Sequence, residues 1–216
     1  MVEAKDLYII RHGETEYNRL GLVQGRSVDA ELNQLGRLQA LAFYQHFNHI
    51  PFDKIYISQL KRTYQSVELF IKNNIPYESL EGLNEISWGD REGRTITPEE
   101  DKAFHEMIEG WQRGELHRKL PGGESPLEVK ARQEKAMRYI LAQKNERNIL
   151  ICMHGRALRI LICQFLNIDM SLMDTFPHQN LCLYHFRYEN NSFSLLKENY
   201  TAHLDHLYRK ENSILV

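Results

Sequence analysis

The chain is predicted to be an α/β protein with a mostly parallel central sheet, helices on both faces, an antiparallel element near the C-terminus and an inserted helical lid. Three observations predict this. Short isoleucine-rich runs recur at Leu7 to Ile10, Ile55 to Ser58 and Ile149 to Met153, each followed by a glycine turn or a helix-compatible stretch. Strands that alternate with helices imply parallel pairing and a sheet covered on both faces. Near the end, Leu181 to Tyr188 and Ser192 to Glu198 flank Glu189-Asn190-Asn191, which reads as a hairpin turn.

The elements follow in order. Leu7 to Ile10 is a buried strand that ends in Arg11-His12-Gly13-Glu14. Asn33 is expected to cap a helix whose apolar stripe is Leu35, Leu38 and Ala42. After the Ile55 strand, Ser58 is expected to cap a helix running towards Phe70. A longer helix spans about Pro126 to Gln143, with Leu127, Ala131, Ile140 and Leu141 facing inward, and Ala157 to Phe165 is a buried helix. The polar segment from Gly93 to Glu124 holds Trp111 and closes with the turn Pro121-Gly122-Gly123. It reads as a helical excursion, 93–124, that roofs a site within one domain covering 1–216.

Composition narrows the function. The 216 residues suit one substantial domain, and 42% hydrophobic with 26% charged residues is ordinary for a soluble chain. A net charge of -2 argues against a general nucleic-acid binder, although a small basic site is compatible with it. The apolar stretches fall short of the ~18 residues a membrane helix needs. Met1 to Asp6 is too short and polar for a secretory signal, so a mature, cytoplasmic start is expected. Cys152, Cys163 and Cys182 are widely spaced in apolar surroundings and read as core thiols of a reducing compartment. The histidines form no HExxH or paired-Cys pattern, so neither a metal nor another cofactor is expected. A homo-oligomer is compatible with the sequence.

The chemistry lies at strand ends. His12 and His154 occupy equivalent places, each followed by glycine at the end of a buried strand, and parallel pairing would bring both imidazoles to one sheet edge. Such a pair is open to structural, zinc-ligating or catalytic roles. The glycines would let a backbone N–H approach a ligand closely. Arg62, near the start of the helix after Ser58, would join the same edge, where a helix N-terminus and a guanidinium both favour an anion.

Residues Arg11-His12-Gly13-Glu14-Thr15-Glu16-Tyr17-Asn18 resemble the RHGE-[ST]-x-x-N signature of the histidine phosphatase superfamily, which includes the cofactor-dependent phosphoglycerate mutases. Leu22-Val23-Gln24-Gly25-Arg26, Ser58-Gln59-Leu60-Lys61-Arg62-Thr63, Leu83-Asn84-Glu85-Ile86 and Met153-His154-Gly155 follow in the family's order, so the likeness runs from about residue 7 to residue 185. The resemblance implies that His12 is the nucleophile that takes a phosphoryl group as phosphohistidine. It also implies that Arg11, Arg62 and His154 surround the phosphate oxygens, that Asn18, Gln24 and the Gly25 backbone bind on the near side, and that Glu85 is the general acid. His12 would attack through a neutral nitrogen, its other nitrogen donating to a backbone carbonyl. Glu14 is expected to support the loop.

The run Glu85-Ile86-Ser87-Trp88-Gly89-Asp90-Arg91-Glu92-Gly93 looks more like the family's phosphatase branch than its mutases, and the excursion is shorter than a mutase lid. A less enclosed phosphoenzyme loses its phosphate to water. The expected activity is therefore hydrolysis of a small phosphorylated metabolite, with phosphoglycerate mutase and a non-catalytic phospho-ligand binder as the alternatives. The rest of the substrate would meet Ser87 to Thr95, the excursion and the region of Asn180, with Arg26, Arg91 and Arg94 as candidate partners for a second acidic group.

Overall fold

The computed structural model describes residues 4–93 and 96–209. Among them β1 (Lys5–Arg11), β2 (Lys54–Ile57), β3 (Tyr77–Ser79), β4 (Asn148–Met153), β5 (Leu183–Glu189) and β6 (Ser192–Tyr200) form one sheet in the order β3-β2-β4-β1-β5-β6. The first four strands are parallel, and β5 and β6 close the far edge antiparallel. Successive side chains of a strand point to opposite faces, so the apolar runs of β1 and β4 feed two cores. Leu7, Ile9, Ile149 and Ile151 join one, and Ile10, Leu150 and Cys152 the other.

The helices are α1 (Glu16–Arg19), α2 (Gln34–Phe47), α3 (Lys61–Lys72), α4 (Pro98–Gln112), α5 (Pro126–Ala142), α6 (Gly155–Leu166) and α7 (Asp205–Arg209). Phe43, Phe47, Val67 and Phe70 bring α2 and α3 to the second core, while Met107, Trp111, Val129, Met137 and Leu158 bring α4, α5 and α6 to the first. Helices therefore cover both faces, as the alternation predicts. None of the described helices is long and apolar enough to cross a membrane. All three cysteines are buried free thiols.

Asn33 caps α2, its side chain accepting the Gly36 N–H at 2.8 Å. The inward face differs from the expected stripe: Gly36, Gln39, Ala40, Ala42, Phe43 and Phe47 are buried, Leu35 is only half-buried and Leu38 is 43% exposed. The two phenylalanines, one turn apart, carry the largest apolar area and set the helix rotation. In α5 the face is Val129, Gln133, Ala136, Met137 and Ile140, whereas Leu127 and Ala131 are exposed and Leu141 lies at the margin. Ser58 does not cap α3. That helix starts after Leu60, whose apolar side chain cannot cap it, while the Ser58 hydroxyl accepts the Leu60 N–H and meets His154 in the site described below.

The hairpin turns on Asn190 and Asn191, at φ 50° and 61°, a left-handed pair that matches strand twist. It starts at Leu183 rather than Leu181, since Leu181 (φ 54°) forms a corner that donates its N–H to the Arg11 carbonyl. The three-residue edge strand β3 carries no sequence signal. In the excursion, Thr97 and Glu100 form a capping box for α4, whose Met107 and Trp111 pack into the main core. Arg94 and Thr95 lie outside the described residues.

Candidate active site

β1 and β4 are adjacent and in register, Arg11 opposite Met153, so the next residues, His12 and His154, emerge side by side with ring centroids 5.1 Å apart. The His12 N–H donates to the Met153 carbonyl, and the Asn180 amide donates to the His12 carbonyl at 2.9 Å. His12 Nδ1 lies 2.7 Å from the Gly13 carbonyl oxygen. A carbonyl only accepts, so Nδ1 carries the proton and Nε2 keeps its lone pair. The strand end thus supplies the neutral, tautomer-fixed imidazole that the sequence reading required.

Arg62 is fully buried at the second position of α3. Its Nη1 donates to the Val28 carbonyl (2.6 Å), Nη2 to the Gly25 carbonyl (3.2 Å) and Nε to His154 Nδ1 (3.2 Å). Gln24 bridges the same guanidinium to Thr15: its amide oxygen accepts from Arg62 at 3.1 and 3.3 Å and its nitrogen donates to Thr15 Oγ1 at 2.7 Å. Because an arginine can only donate, His154 must accept at Nδ1 and donate from Nε2, which it does to Ser58 Oγ at 2.8 Å. Ser58 in turn bonds Thr63, whose hydroxyl donates to the Leu60 carbonyl. Both His154 nitrogens are therefore occupied. In this arrangement its direct partners are Arg62 and Ser58.

Arg11 donates through Nη1 to the His178 carbonyl at 2.7 Å, and its Nε is a buried donor with no partner among the described residues. That Nε sits 3.4 Å from the place a Cβ on Gly155 would take. A buried N–H left unpaired at the start of α6 is what an oxyanion would satisfy. Asn18 uses its amide oxygen as acceptor for Thr15 and Asn180, leaving its NH₂ without a protein partner among the described residues.

Glu85 is buried, with Oε1 accepting the N–H groups of Ile86 (3.0 Å) and Ala157 (2.9 Å) and Oε2 that of Arg156 (3.2 Å). The carboxylate therefore caps the amino end of α6, the helix that begins beside His154. Arg132 fixes its loop by donating to the carbonyls of Gly82, Asn84 and Glu85 at 2.8–3.0 Å. Glu14 accepts from the Asn33 amide at 2.7 Å, a loop support as expected.

Several contributors escaped the sequence reading. Ser66, one turn after Arg62, accepts the Gly13 N–H at 2.9 Å, so that amide serves the protein rather than a ligand. Gly13 is small because a Cβ there would lie 2.7 Å from the Gly36 carbonyl. Glu92 ties two loops together, accepting from Ser27 N (2.8 Å), Trp88 N (2.7 Å) and Ser87 Oγ (3.3 Å). The Arg91-Glu92-Gly93 run was visible, but nothing in it pointed to Ser27. A Cβ on Gly25 would sit 2.1 Å from the Glu92 carboxylate, so Gly25→Ala is expected to prise this staple open. The expected result is about 1–3 kcal/mol of lost stability and about 10²-fold lower kcat/KM, read by urea unfolding and steady-state kinetics.

Arg26 and Arg91 have carboxylate partners within the protein. Arg26 pairs with Glu81 (3.0 Å) and Glu124 (3.4 Å). Arg91 is buried on the Glu100 carbonyl (2.9 Å) and the Asp101 carboxylate (2.7 Å), and it stacks on Phe104. Their partners lie too far along the chain to be read from local sequence.

Burial, then the nearby Arg62 and Arg11 cations, hold the His12 imidazole neutral well below the usual histidine range. His154 is held neutral by burial and Arg62, and His178 is pushed down to about 3 by burial and then Arg11. Burial also lowers Arg62 to about 10, which leaves it cationic at neutral pH. The folded-state values of the three histidines lie below that of a free histidine, about 6.5, so the unfolded chain binds more protons below that pH. Stability is therefore complete above about pH 7 and falls as the pH drops. His12 and His154 each remove up to about 1.4 kcal/mol per pH unit below 6.5. Urea midpoints should decline steadily from pH 7 to pH 5, and a flat profile would contradict buried neutral imidazoles.

An arginine-ringed, neutral histidine at the carboxyl edge of a parallel sheet, with a buried carboxyl alongside, defines an α/β protein built to handle phosphate. The profile of the histidine phosphatase superfamily (branch 1) matches residues 7–201, and the chain belongs to this superfamily. It is 30% identical over 195 residues to the adenosylcobalamin/alpha-ribazole phosphatase of Salmonella typhimurium, covering 88% of this chain and 89% of that one. Phosphoserine phosphatase 1 of Hydrogenobacter thermophilus is 27% identical, with 94% and 95% covered. Among solved structures, Bacillus stearothermophilus YhfR superposes with a TM-score of 0.82 at 25% identity, with 93% and 100% covered.

Proposed function

We propose that the protein is a metal-independent phosphomonoester hydrolase that works through phospho-His12 on a small phosphorylated metabolite. The observation that carries this reading is the Nδ1–H of His12 held by the Gly13 carbonyl, which leaves an unprotonated Nε2 beside the buried Arg62 and the half-buried Arg11. In the first step the Nε2–phosphorus bond forms as the ester P–O bond breaks. Glu85 gives its proton to the departing alkoxide, and the Gly13 carbonyl stabilises the charge that develops on the imidazole. Arg11 and Arg62, with Asn18, Gln24 and Gly25 on the near side, hold the phosphoryl oxygens, while His154 keeps Arg62 in place. In the second step Glu85 takes a proton from water as the water oxygen bonds phosphorus, the P–N bond breaks and returns its electron pair to Nε2, and inorganic phosphate leaves. Phosphoryl transfer asks mainly for position and charge stabilisation, which these groups supply.

The 93–124 excursion belongs, in this reading, to the single domain and roofs the entrance. The three buried thiols suit a cytoplasmic enzyme. Glu85→Gln is expected to lower kcat/KM for alkyl phosphates by about 10²–10⁴-fold and to spare p-nitrophenyl phosphate, whose leaving group needs no proton. The assay is phosphate release in excess chelator. Equal losses on both substrates would remove Glu85 from the acid role, and no turnover of either by the wild type would leave a phosphate-binding relative.

A further inference from the structure

The hydrogen bonds around His154 run in a single direction. Ser58, Arg62, Thr63 and His154 are all buried, at 1% exposure or less. Arg62 Nε and His154 Nδ1 are 3.2 Å apart, and a guanidinium has no lone pair to offer. The imidazole therefore accepts at Nδ1 and keeps its proton on Nε2. That Nε2 lies 2.8 Å from Ser58 Oγ, which also receives the Leu60 N–H at 3.1 Å. Both lone pairs of the hydroxyl are then filled, so its own proton goes out to Thr63 Oγ1 at 3.0 Å. Thr63 donates in turn to the Leu60 carbonyl at 2.8 Å. Reversing any one link would set a buried donor against a donor.

The two imidazoles of the site consequently hold opposite tautomers. His12 carries its proton on Nδ1, fixed by the Gly13 carbonyl, and His154 carries its own on Nε2, fixed from the far side by Ser58. Burial, then Arg62, keeps His154 neutral, so it offers the guanidinium a lone pair and no positive charge. That lone pair sets the roll of the Arg62 fork. The Val28 and Gly25 carbonyls take one N–H of each Nη, and the Gln24 amide oxygen accepts from Nη1 and Nε. The other N–H of Nη2 has no partner among the described residues and is the donor open to a phosphoryl oxygen. With the His154 proton on Nδ1 instead, N–H would meet N–H and the fork would turn.

We propose that Ser58 and Thr63 are positioning residues, which through the Nε2 proton of His154 fix the orientation of the phosphate-binding Arg62. For its effect on activity the inference rests on the phosphatase reading. The test pairs long-range proton–nitrogen NMR spectra of the histidine rings, taken near pH 7, with kcat/KM for p-nitrophenyl phosphate. The His12 and His154 signals, assigned by their loss in His12→Ala and His154→Gln, should show opposite tautomers in the wild type. Thr63→Val keeps the shape of the side chain but removes the acceptor of the Ser58 proton, which is left with His154 Nε2 at 2.8 Å. The His154 ring proton should then move to Nδ1 and kcat/KM should fall about tenfold or more, and Thr63→Ser should restore both. A His154 proton on Nδ1 in the wild type would overturn the relay. So would a Thr63→Val enzyme in which either the spectrum or the activity stayed at the wild-type value. A wild type that turned over no ester would overturn the phosphatase reading, while the spectra would still decide the relay.

Discussion

Replacing His12 by alanine is expected to lower kcat by at least about 10⁴-fold and to abolish the acid-labile, base-stable phosphoenzyme. No neighbour can take its place. His154 is 5.1 Å away between ring centroids, but its Nδ1 accepts from Arg62 and its Nε2 donates to Ser58. The fold should survive the change, because the backbone bonds to Met153 and Asn180 do not involve the imidazole. Rapid-quench trapping with a radiolabelled aryl phosphate checks both points. A labelled phosphoenzyme in the alanine variant would place the nucleophile elsewhere.

The second large effect is expected at Arg62, where activity and stability should fall together. In the proposed mechanism Arg62→Ala removes a cation that holds the phosphoryl group, for which about 10³–10⁵-fold in kcat is the usual scale for an arginine acting on a transferring phosphoryl group. It also leaves Gly25 O, Val28 O and His154 Nδ1 without their donor, so unfolding free energy should drop by about 2–4 kcal/mol. Arg62→Lys should restore little of either, because an ammonium cannot reach three acceptors with a planar fork. Parallel kinetics and urea unfolding decide the matter. Lost activity at unchanged stability would show that the network around the guanidinium is ornamental.

The strand ends were legible because short apolar runs alternating with helices leave few topologies, and register then forces His12 beside His154. Arg62 was legible for a similar reason, lying in the first turn of a helix that leaves the same edge. A lone glutamate such as Glu85 carries no local signal, and only its place in the family's motif order marks it. What escaped were features set by distant partners. Ser58 has the chemistry of a helix cap but serves His154, ninety-six residues away. Leu35 and Leu38 had the right spacing for a core stripe, yet the two phenylalanines of α2 set the rotation. Arg26 and Arg91 pair with carboxylates that local sequence does not reveal. Glu92 reaches Ser27 across sixty-five residues, a link that no local pattern encodes.

The seat of Glu85 on the first amides of α6 divides the molecule into a chassis and a cover. In the proposed mechanism the proton donor, His154 and the start of α6 share one foundation, and the sheet edge with α3 carries the nucleophile and its cations. The turn after α1 and the stretch from Trp88 to Glu92 stand apart from that foundation and would form the cover. Chain can therefore be exchanged in the cover without moving the atoms that break the bond. Grafting a relative's cover onto this chassis should carry over that relative's preference while the phosphoenzyme chemistry stays constant.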